Sequence, residues 1–162
     1  MKSQTKVKWK FLLVFCIPFL IGGLCSRDND EPQLPSNADE FVTWQMSVSN
    51  SYLAIPTDSV NGGYYASNVN RTAFGAWNSS NSKNVYLGWL ALPSTGNFPA
   101  ENFLLYVNGK NYVPSTTPLQ VSISQYDAPG GYIIGNYSGT VRDSSSTTTY
   151  SITGQFRVQR SY

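Results

Sequence analysis

The chain has 162 residues, which is room for one domain of ordinary size. Apolar residues make up 41% of it, enough for a core, whereas only 12% are charged, about half of the usual share. The sequence contains no histidine, the commonest general base and metal ligand, and after Cys25 it has nine Asp or Glu against seven Lys or Arg. Such a balance disfavours nucleic acid as a partner.

Both cysteines lie near the N-terminus, at Cys16 and Cys25. The rest of the chain can therefore form neither a disulfide framework nor a cysteine-based zinc site. We expect no metal and no cofactor, and stability has to come from a core and hydrogen-bonded backbone.

The N-terminal segment combines a basic start with a short apolar run. Four lysines fall within the first ten residues, and residues 11–24 are apolar apart from a Pro and two Gly. As a helix this run would span about 21 Å, short of the ~30 Å hydrocarbon core of a bilayer. The pattern is typical of a signal peptide, which we expect at residues 1–24; an uncleaved, tilted anchor is the alternative.

Residues 21–25, with the sequence IGGLC, resemble a bacterial lipobox, although Leu24 stands where Gly or Ala is usual. The resemblance implies that Cys25 receives lipid and becomes the mature N-terminus. Two or more acyl chains, at ~0.8 kcal/mol per buried CH₂, would hold the protein on a membrane. The alternative is ordinary signal-peptidase cleavage just after Cys25.

Residues 25–40 are predicted to be a flexible acidic tether, because they hold five carboxylates and two prolines and have no aromatic residue. Asp28, Asp30 and Glu31 resemble the surface-export signal of Bacteroidota lipoproteins. That resemblance implies a place in the cell envelope, at the outer membrane, on its surface or its periplasmic face.

From residue 41 the chain alternates between apolar and polar residues with the period of a β-strand. About nine short strands separated by turn signals, and no helical stripe, predict an all-β fold. We expect residues 41–162 to form a single antiparallel β-sandwich, with a small β-barrel as the alternative. The clearest strand signals are at residues 41–48, 72–77, 85–91, 103–107, 110–113, 119–125, 132–142 and 150–160.

Glycines carry the most specific local predictions. Asn108-Gly109 supplies the two positive-φ positions of a type I′ turn and so predicts a tight hairpin. Gly154 interrupts the apolar face of the last strand and is expected to admit a large neighbour such as Tyr137. The pairs at 62–63 and 130–131 are predicted to lie in turns.

The last third of the chain resembles the closing hairpin of small Bacteroidota lipoproteins. Residues 131–143 follow their G-x-F-x-G-x-V-x-D pattern, with Tyr137 in the place of Phe. Residues 150–160 resemble their I-x-x-G-x-F-x-V-x-R run and match it from Gly154 onward, with Ile152 one position closer to the glycine. The resemblance implies a β-sandwich at the cell envelope and implies no chemistry.

Catalytic arrangements are weakly indicated. A glycosidase needs two carboxyl groups roughly 5 to 10 Å apart, and Asp58, Glu101, Asp127 and Asp143 are far apart in sequence, the three aspartates in turn-like contexts. Serine has no histidine partner, and the lysines a Ser-Lys dyad would need, 83 and 110, fall in apparent turns. We expect no enzyme; a hydrolase with a cryptic carboxylate site is the least favoured alternative.

Aromatic residues are the unusual feature, with three Trp, eleven Tyr and five Phe after Cys25. Since one core of this size cannot bury them all, several should reach the surface, where aromatics beside amides could bind a glycan or a protein. The alternative is a structural accessory subunit of a surface complex. Our candidate ligand-binding residues are Tyr64, Tyr65, Trp77 and Asn78, and Ser59 lies in a motif resembling the O-glycosylation sites of Bacteroidota envelope proteins.

Overall fold

The computed structural model describes residue 34, residues 36–65 and residues 70–162. The predicted signal peptide and Cys25 lie outside the described residues. Ten strands are present: β1 (Phe41–Met46), β2 (Ser49–Ala54), β3 (Ser59–Tyr65), β4 (Arg71–Trp77), β5 (Lys83–Leu90), β6 (Gly96–Val107), β7 (Lys110–Pro114), β8 (Gln120–Tyr126), β9 (Tyr132–Asp143) and β10 (Thr149–Gln159).

All ten strands belong to one antiparallel sheet. Its order is β2-β1-β10-β9-β7-β6-β5-β4-β3, and β8 pairs with both β6 and β9. The all-β class is therefore confirmed. No membrane-spanning helix is found within the described part of the chain.

The sheet folds over a single hydrophobic core, so that strands far apart in the hydrogen-bonded order face each other. Phe74 of β4 packs on Phe156 of β10 with ring centroids 4.7 Å apart. Phe103 of β6 packs on Tyr137 of β9 at 5.6 Å. Because each strand alternates its side chains, one set of side chains packs into this core and the other set is left on the outer face.

One end of the folded sheet, strand β3, meets the C-terminal residues that follow β10. Gly62 forms a parallel bridge with Arg160. Ser161 donates its N–H to the Gly62 carbonyl at 2.9 Å, and the Tyr64 N–H donates to the Tyr162 carbonyl at 3.2 Å. Residues 160–162 thus pair with the outer edge of β3, which would otherwise be an open edge of the sheet.

Two glycines of β3 make room for the contact with residues 160–162. A Cβ on Gly62 would lie 2.7 Å from Val158 Cγ2, and one on Gly63 would lie 2.7 Å from the ring of Tyr162. The prediction that residues 62–63 form a turn is wrong: both are in the middle of β3, where the missing side chains admit neighbours.

Other local predictions have mixed outcomes. The Asn108-Gly109 turn is confirmed, with φ of 49° and 82°, and Gly130 lies in the predicted turn with φ of 92°. The first strand ends earlier than predicted, at Met46, and Val48 is exposed in the turn that follows. Glu40, placed in the tether by prediction, accepts a hydrogen bond from the Gln159 N–H at 2.7 Å.

Candidate functional site

The outer face of β4, β5 and β6 carries a shallow, largely apolar groove of about 330 Å³. We call it the aromatic groove. Its walls and floor are formed by Gly75, Ala76, Trp77, Val85, Tyr86 and Leu104, with the amides of Asn81 and Asn84 beside them.

The register of the three strands builds this groove. Gly75 pairs with Tyr86, and Tyr86 pairs with Leu104, so these three positions form one row across the outer face. Trp77 pairs with Asn84 in the adjacent row. Side chains in neighbouring rows of an antiparallel sheet are within reach of large rings, so Trp77 and Tyr86 line the same depression.

The indole of Trp77 lies over Gly75. A Cβ built on Gly75 would be only 3.4 Å from Cζ3 of Trp77, so the glycine leaves space for the ring against the sheet. Trp77 is 42% exposed, while Tyr86 and Leu104 are each 39% exposed. A large ring supported from below and open above is a surface on which the apolar C–H face of a sugar can stack.

Three asparagines lie near the groove, and two of them, Asn81 and Asn84, line it. Asn81 is exposed in the β4–β5 turn with φ of 52°, and Asn84 is half-buried on β5. Asn78, a predicted ligand residue, is instead engaged within the turn. Its Nδ2 donates to Ser80 Oγ and Ser82 Oγ at 3.0 and 2.9 Å, and its Oδ1 accepts the Lys83 N–H at 3.0 Å. Asn78 thus shapes the turn beside Trp77.

Tyr64 and Tyr65 point to opposite faces of β3. Tyr64 is half-buried; its hydroxyl bonds Asn70 Oδ1 at 2.7 Å, and the Arg160 guanidinium lies 5.9 Å from its ring centroid. Tyr65 is exposed and meets Tyr162 edge to face, with centroids 4.9 Å apart and the two hydroxyls hydrogen-bonded. The structure therefore does not bring the two predicted tyrosines into one stacking site.

Each carboxylate named as a catalytic candidate is held by local hydrogen bonds. Glu101 forms a bidentate salt bridge with Arg71, with N–O distances of 2.7 and 2.8 Å. Asp127 accepts the Tyr132 N–H at 3.0 Å, and that bond is the main reason why its pKa is lowered. Asp143 and Asp58 likewise accept nearby backbone N–H groups. Among the described residues, no three His, Cys, Asp or Glu side chains converge on a metal position.

One serine–lysine contact is present. Lys83 is the first residue of β5, not a turn residue as predicted, and its Nζ donates to Ser51 Oγ of β2. Lys110, also predicted in a turn, opens β7 and lies 3.6 Å from Asp143. Both contacts join strands or turns that are distant in sequence.

Ser59, the predicted O-glycosylation residue, is exposed at the start of β3. It follows Asp58, whose Oδ2 accepts the Ala54 N–H at 3.0 Å and so fixes the β2–β3 turn. A modification at Ser59 would meet solvent.

The sequence pattern indicated Trp77 as a ligand-binding residue, but it did not indicate Tyr86, Leu104 or Asn84. The signal that could have found Tyr86 is the alternation within residues 85–91, which places it on the outer face of its strand. Its position beside Trp77 depends on the strand register, which the sequence pattern did not give.

Comparisons with protein-family models, with curated proteins and with solved structures find no match for this chain.

Proposed function

We propose that this protein is a non-enzymatic binding module of the bacterial cell envelope, that lipid on Cys25 anchors it, and that its aromatic groove binds glycan. The observation that carries the proposal is the exposed Trp77 indole lying over Gly75, with Tyr86 in the same depression. Two neighbouring amides, of Asn81 and Asn84, supply donors and acceptors for sugar hydroxyls.

A groove this shallow supports weak binding. Stacking on one or two rings and a few exposed hydrogen bonds has to offset the loss of ligand freedom, so the affinity belongs on the order of millimolar to tens of micromolar. Several copies acting together on one polymeric glycan would raise the effective affinity without new contacts.

A glycan array followed by titration tests the proposal. We would use residues 36–162, which retain the contact of Glu40 with β10. Trp77→Ala should abolish binding, and Trp77→Phe should retain part of it because a ring is kept. Leu92→Ala is the matched control, since Leu92 is exposed outside the groove. Absence of binding to every glycan at millimolar sensitivity would overturn the proposal.

A second candidate function is that of an accessory subunit that binds a partner protein. It is supported by exposed aliphatic side chains on the same outer face. Leu90 of β5 is 50% exposed and Leu104 of β6 is 39% exposed. Exposed apolar side chains on a sheet face can contribute to protein contacts. A photo-crosslinking residue at position 90 should then give one discrete adduct in cells, whereas glycan binding alone predicts none.

The anchor has its own test. Labelling cells with an alkyne fatty acid should tag the wild-type chain and leave Cys25→Ala untagged. Equal labelling of both chains would contradict lipid attachment at Cys25. External protease treatment of intact cells would then distinguish the surface from the periplasmic face of the outer membrane.

A further inference from the structure

A second depression follows the outer side of β1 and β10, away from the aromatic groove. It consists of two adjoining cavities of about 240 and 290 Å³, which share Gln45 and Thr153 in their walls. We call the combined feature the polar groove. Each cavity alone lies below the 300–1,000 Å³ range of sites for drug-sized ligands, but together they extend along the two strands.

The groove exists because the β1–β10 ladder opens locally. Pairing runs through Val42 and Phe156, is interrupted, and resumes at Gln45 and Thr153. In the gap, the Thr43 hydroxyl accepts the Gln155 N–H at 2.9 Å and donates to the Gln155 carbonyl at 3.3 Å. One side chain thus takes the place of backbone hydrogen bonds within the gap.

The floor of the groove is rigid. Trp44 and Tyr137 are buried, and the Tyr137 hydroxyl donates to the Thr43 carbonyl at 2.8 Å. A floor fixed by packing and hydrogen bonds loses little freedom when a ligand binds, which favours affinity from a small number of contacts.

The rim of the groove is polar and carries no charge. Within the described residues, five rim side chains make no hydrogen bond to another part of the chain, in contrast to Asn78 and Asp58, which are engaged in turns. Amides and hydroxyls in this state can both donate and accept. The five residues are Gln45, Asn136, Ser138, Thr153 and Gln155.

We propose that the polar groove is a second binding site, and that it takes a neutral oligosaccharide of at least two sugar residues. Neutral hydroxyl-rich ligands match alternating amides and hydroxyls, whereas ionic ligands would find no opposite charge among the lining residues. Two adjoining cavities predict that a longer oligosaccharide binds more tightly than its monosaccharide. The site is independent of the aromatic groove and of the function proposed for it.

The test uses the full chain in a non-glycosidic detergent, because a maltoside detergent would itself compete. Amide NMR spectra would be recorded during titration with glucose, maltotetraose, cellotetraose, chitotetraose and a neutral tetrapeptide. The expected result is that at least one tetrasaccharide shifts the amide signals of Gln45, Gly154 and Gln155, and that glucose shifts them less at equal concentration.

Variants locate the site. Replacing both Asn136 and Gln155 by Ala should weaken that binding about tenfold, since each substitution removes one hydrogen-bonding side chain from the rim. Asn111→Ala removes an exposed amide near the start of β7, away from the polar groove, and should leave binding unchanged. Trp77→Ala should also leave it unchanged, which separates this site from the aromatic groove.

Three outcomes would overturn the proposal: no shift of these amides with any oligosaccharide, equal binding by the double variant, or shifts produced only by a neutral peptide of similar length. Thermal unfolding of the double variant checks its fold, which both substitutions should leave intact because the side chains are exposed.

Discussion

Tyr137 of β9 lies directly against Gly154, its partner on the neighbouring strand β10. A Cβ on Gly154 would fall 2.3 Å from Cζ of Tyr137 and 2.3 Å from the Thr43 carbonyl oxygen. The glycine therefore provides the space in which the phenol ring crosses β10 and reaches β1, where its hydroxyl donates to Thr43 at 2.8 Å. Burial raises the pKa of Tyr137 above its usual range, so the phenol remains a hydrogen-bond donor.

Substitutions at this contact should separate the contribution of the Tyr137 hydroxyl from that of the space that Gly154 leaves. Tyr137→Phe keeps the ring and leaves the Thr43 carbonyl without its donor, so we expect a loss of about 1–2 kcal/mol. Gly154→Ala puts a methyl group into filled space and should cost about 1–3 kcal/mol or prevent folding. The measurement is the free energy of unfolding in urea. Tyr150→Phe is the control, and an equal loss there would contradict a specific role for the Tyr137 hydroxyl.

The opened ladder makes a separate prediction at Thr43. Thr43→Val keeps a branched side chain but removes the hydroxyl that bonds both backbone groups of Gln155. We expect it to lower stability by about 1–2 kcal/mol, and Thr43→Ser to cost less because the hydroxyl is kept. Urea unfolding of both variants compares them; if Val and Ser had the same effect, the hydroxyl would not be what spans the gap.

The features that could be predicted from the sequence depend on the two-residue period of β-strands and on the residue preferences of turns. Alternation located most strands, Asn108-Gly109 located a hairpin, and the break in the apolar face at Gly154 identified Tyr137 as its neighbour. These features are local, or concern adjacent strands joined by a hairpin. Strands β2 and β3 were missed because Ser, Asn and Gly dominate them; these residues favour turns, and only pairing with β1 and β4 makes them strands.

The two grooves could not be predicted, because they depend on strand register and on contacts between distant residues. Trp77 and Tyr86 come together through the β4–β5 register, and a shift of one residue would place them on opposite faces. Tyr64 and Tyr65 are adjacent in sequence and for that reason separated by the strand alternation. The polar groove requires a gap in a ladder, and that gap follows from three-dimensional contacts of Thr43 and Tyr137.

The Tyr65–Tyr162 contact predicts a pH dependence at high pH. The hydrogen bond with Tyr162, and secondarily burial, raises the pKa of Tyr65 from 10.0 to about 12. The fold therefore favours the neutral phenol, so this stabilisation is complete below pH 10 and is lost as pH rises through about 12.

Comparison of the wild type with Tyr65→Phe would measure this effect. The difference between their free energies of unfolding should be constant below pH 10 and should shrink between pH 10 and about 12. Because the chain has eleven tyrosines, the difference in phenolate absorbance between the two proteins reports the titration of Tyr65. A difference that did not change with pH would contradict the contact.

The Ser51–Lys83 contact gives a direct test of the non-enzymatic proposal. A serine nucleophile paired with lysine needs a neutral amine in an apolar pocket, whereas Lys83 is half-buried at a strand end, next to the polar turn that Asn78 organises. We expect a fluorophosphonate probe to leave the chain unlabelled. Lys83→Met, which keeps most of the aliphatic stem, should lower stability by no more than about 1 kcal/mol. Labelling that disappeared in Ser51→Ala would instead identify Ser51 as a nucleophile and require a hydrolytic function.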